Sequence, residues 1–232
     1  MNEVYVLIPA INEEKSISKV IENIPVGFVK EVIVVDNGSE DNTVSAAEKS
    51  GAVVLLEPVR GYGAACLKGL EYIFGKCDDG DVVVFLDGDY SDYPEEMKTI
   101  AGPVLNEKYD LVIGSRILGR GLGLTEKNSL LPQAIFGNRL SAALIKFFWK
   151  YEFTDLGPFR AVKACSLKKM KMNDMNYGWT VEMQIKAAKL KMKCKEVPVS
   201  YRRRIGISKV TGTVSGSVKA GVKILYTIFR SL

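Results

Sequence analysis

Asp87 and Asp89 stand one residue apart in FLDGDYSDYP (85–94), directly after the apolar run VVVFL. Two carboxylates so close, at the end of a buried strand, suit a divalent cation or a polar turn. The chain contains no histidine. Ser-His-Asp catalysis, histidine general bases and His-ligated zinc are therefore excluded, and a metal here would rest on oxygen ligands, which points to Mg²⁺ or Mn²⁺. Other polar clusters follow the same grammar of apolar run, then chemistry: PAINEE (9–14), DNGSED (36–41), EPVRGYGAA (57–65) and GSR (114–116).

The elements that must position these clusters are read from hydrophobic patterning. VYVLI (4–8), VIVV (32–35), VVLL (53–56), VVVFL (82–86) and DLVIG (110–114) are short β-forming runs. Ile17, Val20, Ile21 and Ile24 share a helix face, SEDNT (39–43) reads as a helix start capped by Ser39, and 63–74 reads as a helix of small residues. Continuous apolar strands alternating with helices predict an α/β fold: a mostly parallel central sheet covered on both faces. Ligands of such sheets bind beyond the carboxyl ends of the strands, so five polar edges meet on one rim. Beyond them, 115–135 reads as a Gly-rich loop, 136–150 and 180–190 as helices, 193–201 as a strand near an edge, and 202–213 as a basic loop. No GxGxxG follows the first strand, no GxxxxGK[ST] occurs, and no Gly-rich triphosphate loop follows strand one. These absences count against dinucleotide-binding, P-loop and nucleotidyltransferase readings.

Of the 232 residues, 47% are hydrophobic and 25% charged, as in a globular chain, and the net charge is +5. The basic residues do not interleave with aromatics on any obvious face, which counts against nucleic acid, and no nucleic-acid partner is expected. The four cysteines form no CxxC pair and no secretory signal opens the chain, so a reduced, cytoplasmic protein is expected. No apolar run reaches the roughly 20 residues of a membrane span. The tail carries Val218, Val222, Leu225 and Phe229 on one helix face, flanked by Lys219, Lys223 and Arg230. It has two readings: a peripheral helix on an anionic membrane, or a helix packed on the body or on a second subunit of a homodimer.

In order and spacing, PAINEE, VVDNGSED, VRGYGAA, FLDGDYSDYP, GSR, TDLGPFRA (154–161), YGWTVEMQIKA (177–187) and VPVSYRRRIGISK (197–209) resemble the GT-A family 2 glycosyltransferases. The resemblance is nearest to the polyprenyl-phosphate sugar synthases of the dolichyl-phosphate mannose or glucose type, and it runs from Val4 to about Lys209. It implies a catalytic domain over 1–213, with a nucleotide part (1–116) and an acceptor part (117–213), followed by an amphipathic helix over 214–232. It implies a UDP- or GDP-linked hexose donor, a polyprenyl phosphate acceptor, inversion at the sugar, and a metal held by Asp89 directly with Asp87 nearer the ribose. It places the nucleoside against Pro9, Ala10, Asn12, Glu13 and Asp36, with Arg60 and Gly61 beside the base or phosphate. Without histidine, Asp155 and Glu182 are the candidate bases for an alcohol acceptor. A lipid phosphate is already ionised at pH 7 and needs none, leaving Asp155 to position acceptor or metal. Arg204, Ser208 and Lys209 match an R-x-G-x-S-K pattern that would hold phosphate, and Arg116 is a further phosphate ligand. Two alternatives stay open: the same donor with a soluble acceptor, or a non-catalytic sugar-nucleotide-binding scaffold.

Overall fold

The computed structural model describes residues 2–206 and 214–232. Ser208 and Lys209 lie outside the described residues. Seven strands form one sheet in the order β3-β2-β1-β4-β6-β5-β7: β1 (Val4–Ala10), β2 (Glu31–Asp36), β3 (Val53–Leu56), β4 (Val82–Phe85), β5 (Leu111–Ser115), β6 (Arg160–Lys163) and β7 (Cys194–Pro198). The β1–β2, β2–β3, β1–β4 and β5–β7 pairs are parallel, and β6 runs antiparallel to both β4 and β5. Inserting one reversed strand leaves β4 and β5 pointing the same way, so their carboxyl ends reach the same rim as β1 and β2. The expected mostly parallel α/β sheet is what forms, with β7 at the edge.

Side-chain alternation divides the core in two. Tyr5 and Leu7 of β1 and Val83 and Phe85 of β4 face one layer, whereas Val4, Val6, Ile8, Val82 and Val84 face the other. The second layer is covered by α1 (Ile17–Glu22), α2 (Thr43–Lys49) and α4 (Met97–Asn106), through Ile17, Val20, Ala47, Met97 and Ile100. The first is covered by α3 (Tyr62–Phe74), α6 (Pro132–Trp149), α7 (Ala164–Met170), α8 (Trp179–Lys189) and α9 (Val214–Arg230). Burying each large aliphatic side chain here contributes about 1.5–3 kcal/mol.

Four expectations change. Residues 115–135 are not all loop: α5 (Arg116–Gly121) forms at once after β5, because the Ser115 hydroxyl accepts from the Leu118 N–H. α6 starts earlier than expected, with Pro132 at its first turn, where a missing N–H costs nothing. Ser39 does not cap α2: Asn42 holds the cap position and the Ser39 hydroxyl accepts from the Asn12 N–H at 2.8 Å. The short run RAVK, read as part of a motif, is a central strand hydrogen-bonded on both sides. In α9 the inward residues are Thr227 and Ile228, with Ile224 packed partly behind, while Val222 and Phe229 are exposed. The helix packs on the body, against α6 and α8. Among the described residues no helix is long and apolar enough to cross a membrane.

Candidate active site

A cavity of about 270 Å³ opens at the carboxyl ends of β1, β2 and β4, lined by Pro9, Ala10, Ile11, Glu13, Asn37, Arg60, Gly61, Tyr62, Ala65, Asp87, Gly88, Asp89, Asn176, Tyr177 and Arg204. Eight of the residues expected at the site meet here: Pro9, Ala10, Glu13, Arg60, Gly61, Asp87, Asp89 and Arg204.

The two aspartates are tightly held. The Tyr62 hydroxyl donates to Asp87 Oδ1 at 3.1 Å, and the Ser91 N–H donates to Asp89 Oδ1 at 2.8 Å. Arg204 lies between two carboxylates, with Nη1 3.1 Å from Asp89 Oδ2 and Nη2 3.0 Å from Glu13 Oε1. Burial, then the nearby Asp89 charge, pushes Asp87 up to about 7, against the pull of Arg204. Asp92 is also buried, and neither of its carboxylate oxygens has a hydrogen-bond partner. Burial raises its pKa well above the usual carboxylate range, and Asp87 adds to this. With these carboxylates ionised, the turn would hold more negative charge than its surroundings compensate.

That imbalance is the test of whether a divalent cation fits, and it does. Asp87 and Asp89 offer hard oxygen donors, and a carboxylate oxygen that accepts one hydrogen bond keeps a second lone pair. Among the described residues no group of three or more His, Cys, Asp or Glu gathers as a metal cluster. The chain thus offers an aspartate pair rather than a cage, the pattern of Mg²⁺-type sites completed by substrate phosphates and water.

The DGD turn is braced by the chain that leads into the basic loop. Tyr90 has φ +62°, costly for an aromatic residue. Arg202 stacks on its ring at 3.4 Å and on Tyr93 at 4.0 Å, and donates from Nε to the Tyr90 carbonyl. The Arg202 N–H donates to the Ser91 carbonyl and the Ile205 N–H to the Asp89 carbonyl. Arg202 is thereby a brace, and Arg204, two residues on, is delivered to the pocket.

At the end of β2, Asp36 Oδ2 accepts from the N–H groups of Gly38 and Ser39, both at 3.0 Å, while buried Oδ1 has no hydrogen-bond partner. Its neighbour Asn37, unforeseen, lines the cavity and ties β2 to α3 by accepting from the Gly61 N–H at 2.7 Å. The Arg60 guanidinium lies against Gly38, whose φ of +84° only glycine adopts cheaply. Asn12 stays at the rim: its side chain accepts from the Glu40 N–H at 2.8 Å and clasps the first and second loops.

Two candidate bases are placed differently from expectation. Asp155 is fully buried and bound by Arg116: Nε to Oδ2 and Nη2 to Oδ1, each 2.8 Å, with the Arg116 N–H and the Asn138 amide donating as well. It does not line the cavity, and it fixes Arg116 rather than facing an acceptor. Glu182 accepts from the N–H groups of Asn173 and Asp174 and pairs with Lys186 at 2.7 Å, lining a separate groove between α8 and α9. Its role in the structure is to hold a turn.

That turn, 173–178, is the part of the site that sequence reasoning missed. It carries Asn176 and Tyr177 into the cavity wall. It can approach only because α3 begins with glycines: a Cβ on Gly61 would lie 2.0 Å from the Met175 carbonyl oxygen, and one on Gly63 1.8 Å from that of Asp174. The spacing G-x-G ahead of a helix was the signal within reach; its partner, over a hundred residues away, was not.

A second cavity, also of about 270 Å³, adjoins the first and shares Arg204 with it. Its cations are Arg116, Arg203 and Arg204, and its apolar lining is Leu130, Leu131 and Ala134. Leu130 and Asn128 also line a third, wider cavity with Arg120, Lys127, Arg139, Pro132, Ile135 and Phe136.

A family model described as "Glycosyl transferase family 2" matches residues 5–165. An uncharacterized protein of Methanocaldococcus jannaschii is 30% identical over 223 residues, covering 93% of this chain and 88% of that protein. A UDP-N-acetylglucosamine–dolichyl-phosphate N-acetylglucosaminyltransferase of Methanococcus voltae is 29% identical over 255 residues, covering 97% and 94%. The crystal structure of glucosyl-3-phosphoglycerate synthase from Mycobacterium tuberculosis, in complex with Mn²⁺, UDP and glucosyl-3-phosphoglycerate, superposes with a TM-score of 0.75 at 23% identity, covering 99% of this chain and 80% of that one.

Proposed function

The chain belongs to the family 2 glycosyltransferases, and from that premise we propose that it moves a hexose from a nucleoside diphosphate sugar to the phosphate of a polyprenyl phosphate. The observation that carries the reading is the sharing of Arg204: this one residue borders the Asp87–Asp89 pocket and a second cavity lined by two more arginines and by leucines. A donor diphosphate on one side and an acceptor phosphate on the other both call for such cations. The apolar lining, continuing toward Ile135 and Phe136, suits an isoprenoid chain.

In this reading an acceptor phosphate oxygen attacks the anomeric carbon as that carbon's bond to the diphosphate oxygen breaks, and the electron pair leaves with the nucleoside diphosphate. The acceptor is ionised at neutral pH, its second pKa being about 6, so no side chain need take a proton. That agrees with the structure, where Asp155 and Glu182 are committed to other partners. Arg204 and Arg116 orient the two phosphates, with Arg116 set by its paired bonds to Asp155. Pro9, Ala10, Asn37, Arg60 and Gly61 border the nucleoside, and Asp36 lies behind Asn37 with a buried Oδ1 left without a hydrogen-bond partner. Asp87 and Asp89 would hold Mg²⁺ or Mn²⁺, which supplies Lewis-acid stabilisation of the leaving diphosphate. Residues 1–116 carry most of the donor side, joined there by Asn176, Tyr177 and Arg204, and the acceptor cavity draws on Arg116 and on residues from 128 onward.

A second reading keeps the donor and uses a soluble phosphorylated acceptor; the mycobacterial glucosyl-3-phosphoglycerate synthase was crystallised with Mn²⁺, UDP and glucosyl-3-phosphoglycerate. One assay separates them. Purified protein is incubated with Mn²⁺, labelled UDP-glucose, UDP-N-acetylglucosamine or GDP-mannose, and either a detergent-dispersed polyprenyl phosphate or 3-phosphoglycerate; label is then partitioned into organic solvent. Organic-phase label that is lost about 100-fold or more in Asp89→Asn is expected. Water-soluble product alone sinks the lipid reading, and no turnover with any donor from folded protein sinks both.

A further inference from the structure

We propose that the paired outer faces of α6 and α9 form a docking surface for an anionic lipid bilayer. The proposal rests on the lipid-acceptor reading for its purpose, but not for its evidence. In α6, Phe136 and Phe147 are 68% and 67% exposed, and Leu140 37%. At about 100° per residue these three fall within roughly 40° of one another, so they make one stripe along the helix. In α9, Val222, Tyr226 and Phe229 are 62%, 53% and 54% exposed and make a second stripe by the same spacing. The two helices pack together, and Phe148 links the stripes: its ring meets Phe147 at 5.1 Å and Phe229 at 6.1 Å, both edge-on. A surface that ordinarily carries single apolar residues here carries two adjoining rows.

The charge pattern names the occupant. From Lys127 to Tyr151 the sequence has four Lys or Arg and no Asp or Glu; from Val197 to Leu232 it has seven and again none. Arg139, Lys146 and Lys150 accompany the α6 stripe, and Lys223 and Arg230 accompany that of α9. Two of these cations already have acidic partners, Lys146 with Glu152 and Lys223 with Asp174. A second copy of the chain meeting this face through a twofold axis would bring like charges together, whereas a membrane rich in anionic headgroups complements them. Phe136 and Arg139 also line the cavity that adjoins the Arg116–Arg203–Arg204 cavity. One end of the α6 stripe therefore lies where a lipid acceptor would leave the bilayer.

The test is flotation of the intact protein with vesicles of phosphatidylcholine alone, or of phosphatidylcholine with about one part in four phosphatidylglycerol. The protein should float with the anionic vesicles, be left behind by the neutral ones, and be released by about 0.5 M salt. The double variant Phe147→Asp/Phe229→Asp should lose at least tenfold in vesicle affinity with its thermal unfolding unchanged. Lys146→Glu/Lys150→Glu should weaken binding to anionic vesicles even if the first variant is unstable. Wild-type protein that stays unbound with anionic vesicles would overturn the proposal. So would a concentration-dependent dimer that the phenylalanine variant returns to monomer. Sugar transfer is read separately, so vesicle binding without transfer indicts the acceptor reading alone.

Discussion

Asp155 and Arg116 show how a residue pair can carry chemistry by holding still. The carboxylate has no exposed surface and receives two guanidinium bonds, a backbone N–H and an amide. Removing its charge leaves Arg116 facing a buried, half-matched partner, a change that typically costs about 3–5 kcal/mol. Asp155→Asn should therefore lower the urea midpoint of unfolding as well as turnover, whereas Glu182→Gln should leave the pH profile of turnover unchanged. A base would do the reverse, moving the pH profile while leaving stability alone. Asp92 offers a second check. In the unfolded chain it ionises near its ordinary pKa of about 3.9. Its folded pKa is raised, so over the interval between the two values the folded state binds the extra proton and stability falls as pH rises. Asp92→Asn should raise the Tm at pH 8, change it little at pH 4, and flatten the curve of Tm against pH; an unchanged slope would show that the carboxylate is better solvated than its unpartnered oxygens imply.

Among the elements, α9 reaches the Asp87–Asp89 cavity without lining it. Lys223 Nζ pairs with Asp174 Oδ2 at 2.7 Å, and Asp174 Oδ1 accepts from the N–H groups of Asn176 and Gly178 at 2.8 and 3.0 Å. Asn176 and Tyr177 then form the cavity wall. The Met175 carbonyl accepts from Ala64 N–H at the start of α3, so the turn is pinned on both sides. Lys223→Met keeps the stem and removes the charge. Donor KM should rise severalfold with kcat changed less, because the wall loosens while Asp87, Asp89 and Arg204 stay in place. An equal fall in kcat with KM unchanged would remove α9 from donor binding. The same scale explains why β6 escaped the sequence reading. RAVK is four residues long and contains two charged side chains. Its Arg160 is buried and satisfied by the Gly157, Leu156 and Thr180 carbonyls, so a residue that reads as surface is in fact a core strut, with a pKa lowered to about 10 by that burial.

Across the whole molecule, the order of residues along the chain was enough to specify the parallel strands of the sheet, their rim and the residue types on it, though not the reversed strand β6. Runs such as VVVF and VIVV can only be buried on both faces, and each hands over to a polar cluster at the end where ligands of open sheets bind. The lack of histidine likewise left the rim carboxylates as the ligands open to a metal there. Folding had to settle which of the carboxylates are free. Asp87 and Asp155 are alike as letters, yet one lines a cavity and the other is enclosed by Arg116 and Asn138, because the partners lie far apart in the chain. Folding also settled which face of α9 is outward: helical spacing makes Val222 and Phe229 a stripe, but only packing against α6 and α8 assigns the inside to Ile228. Periodicity is local and can be read along a chain, whereas compensation of charge and burial depends on neighbours that folding brings together.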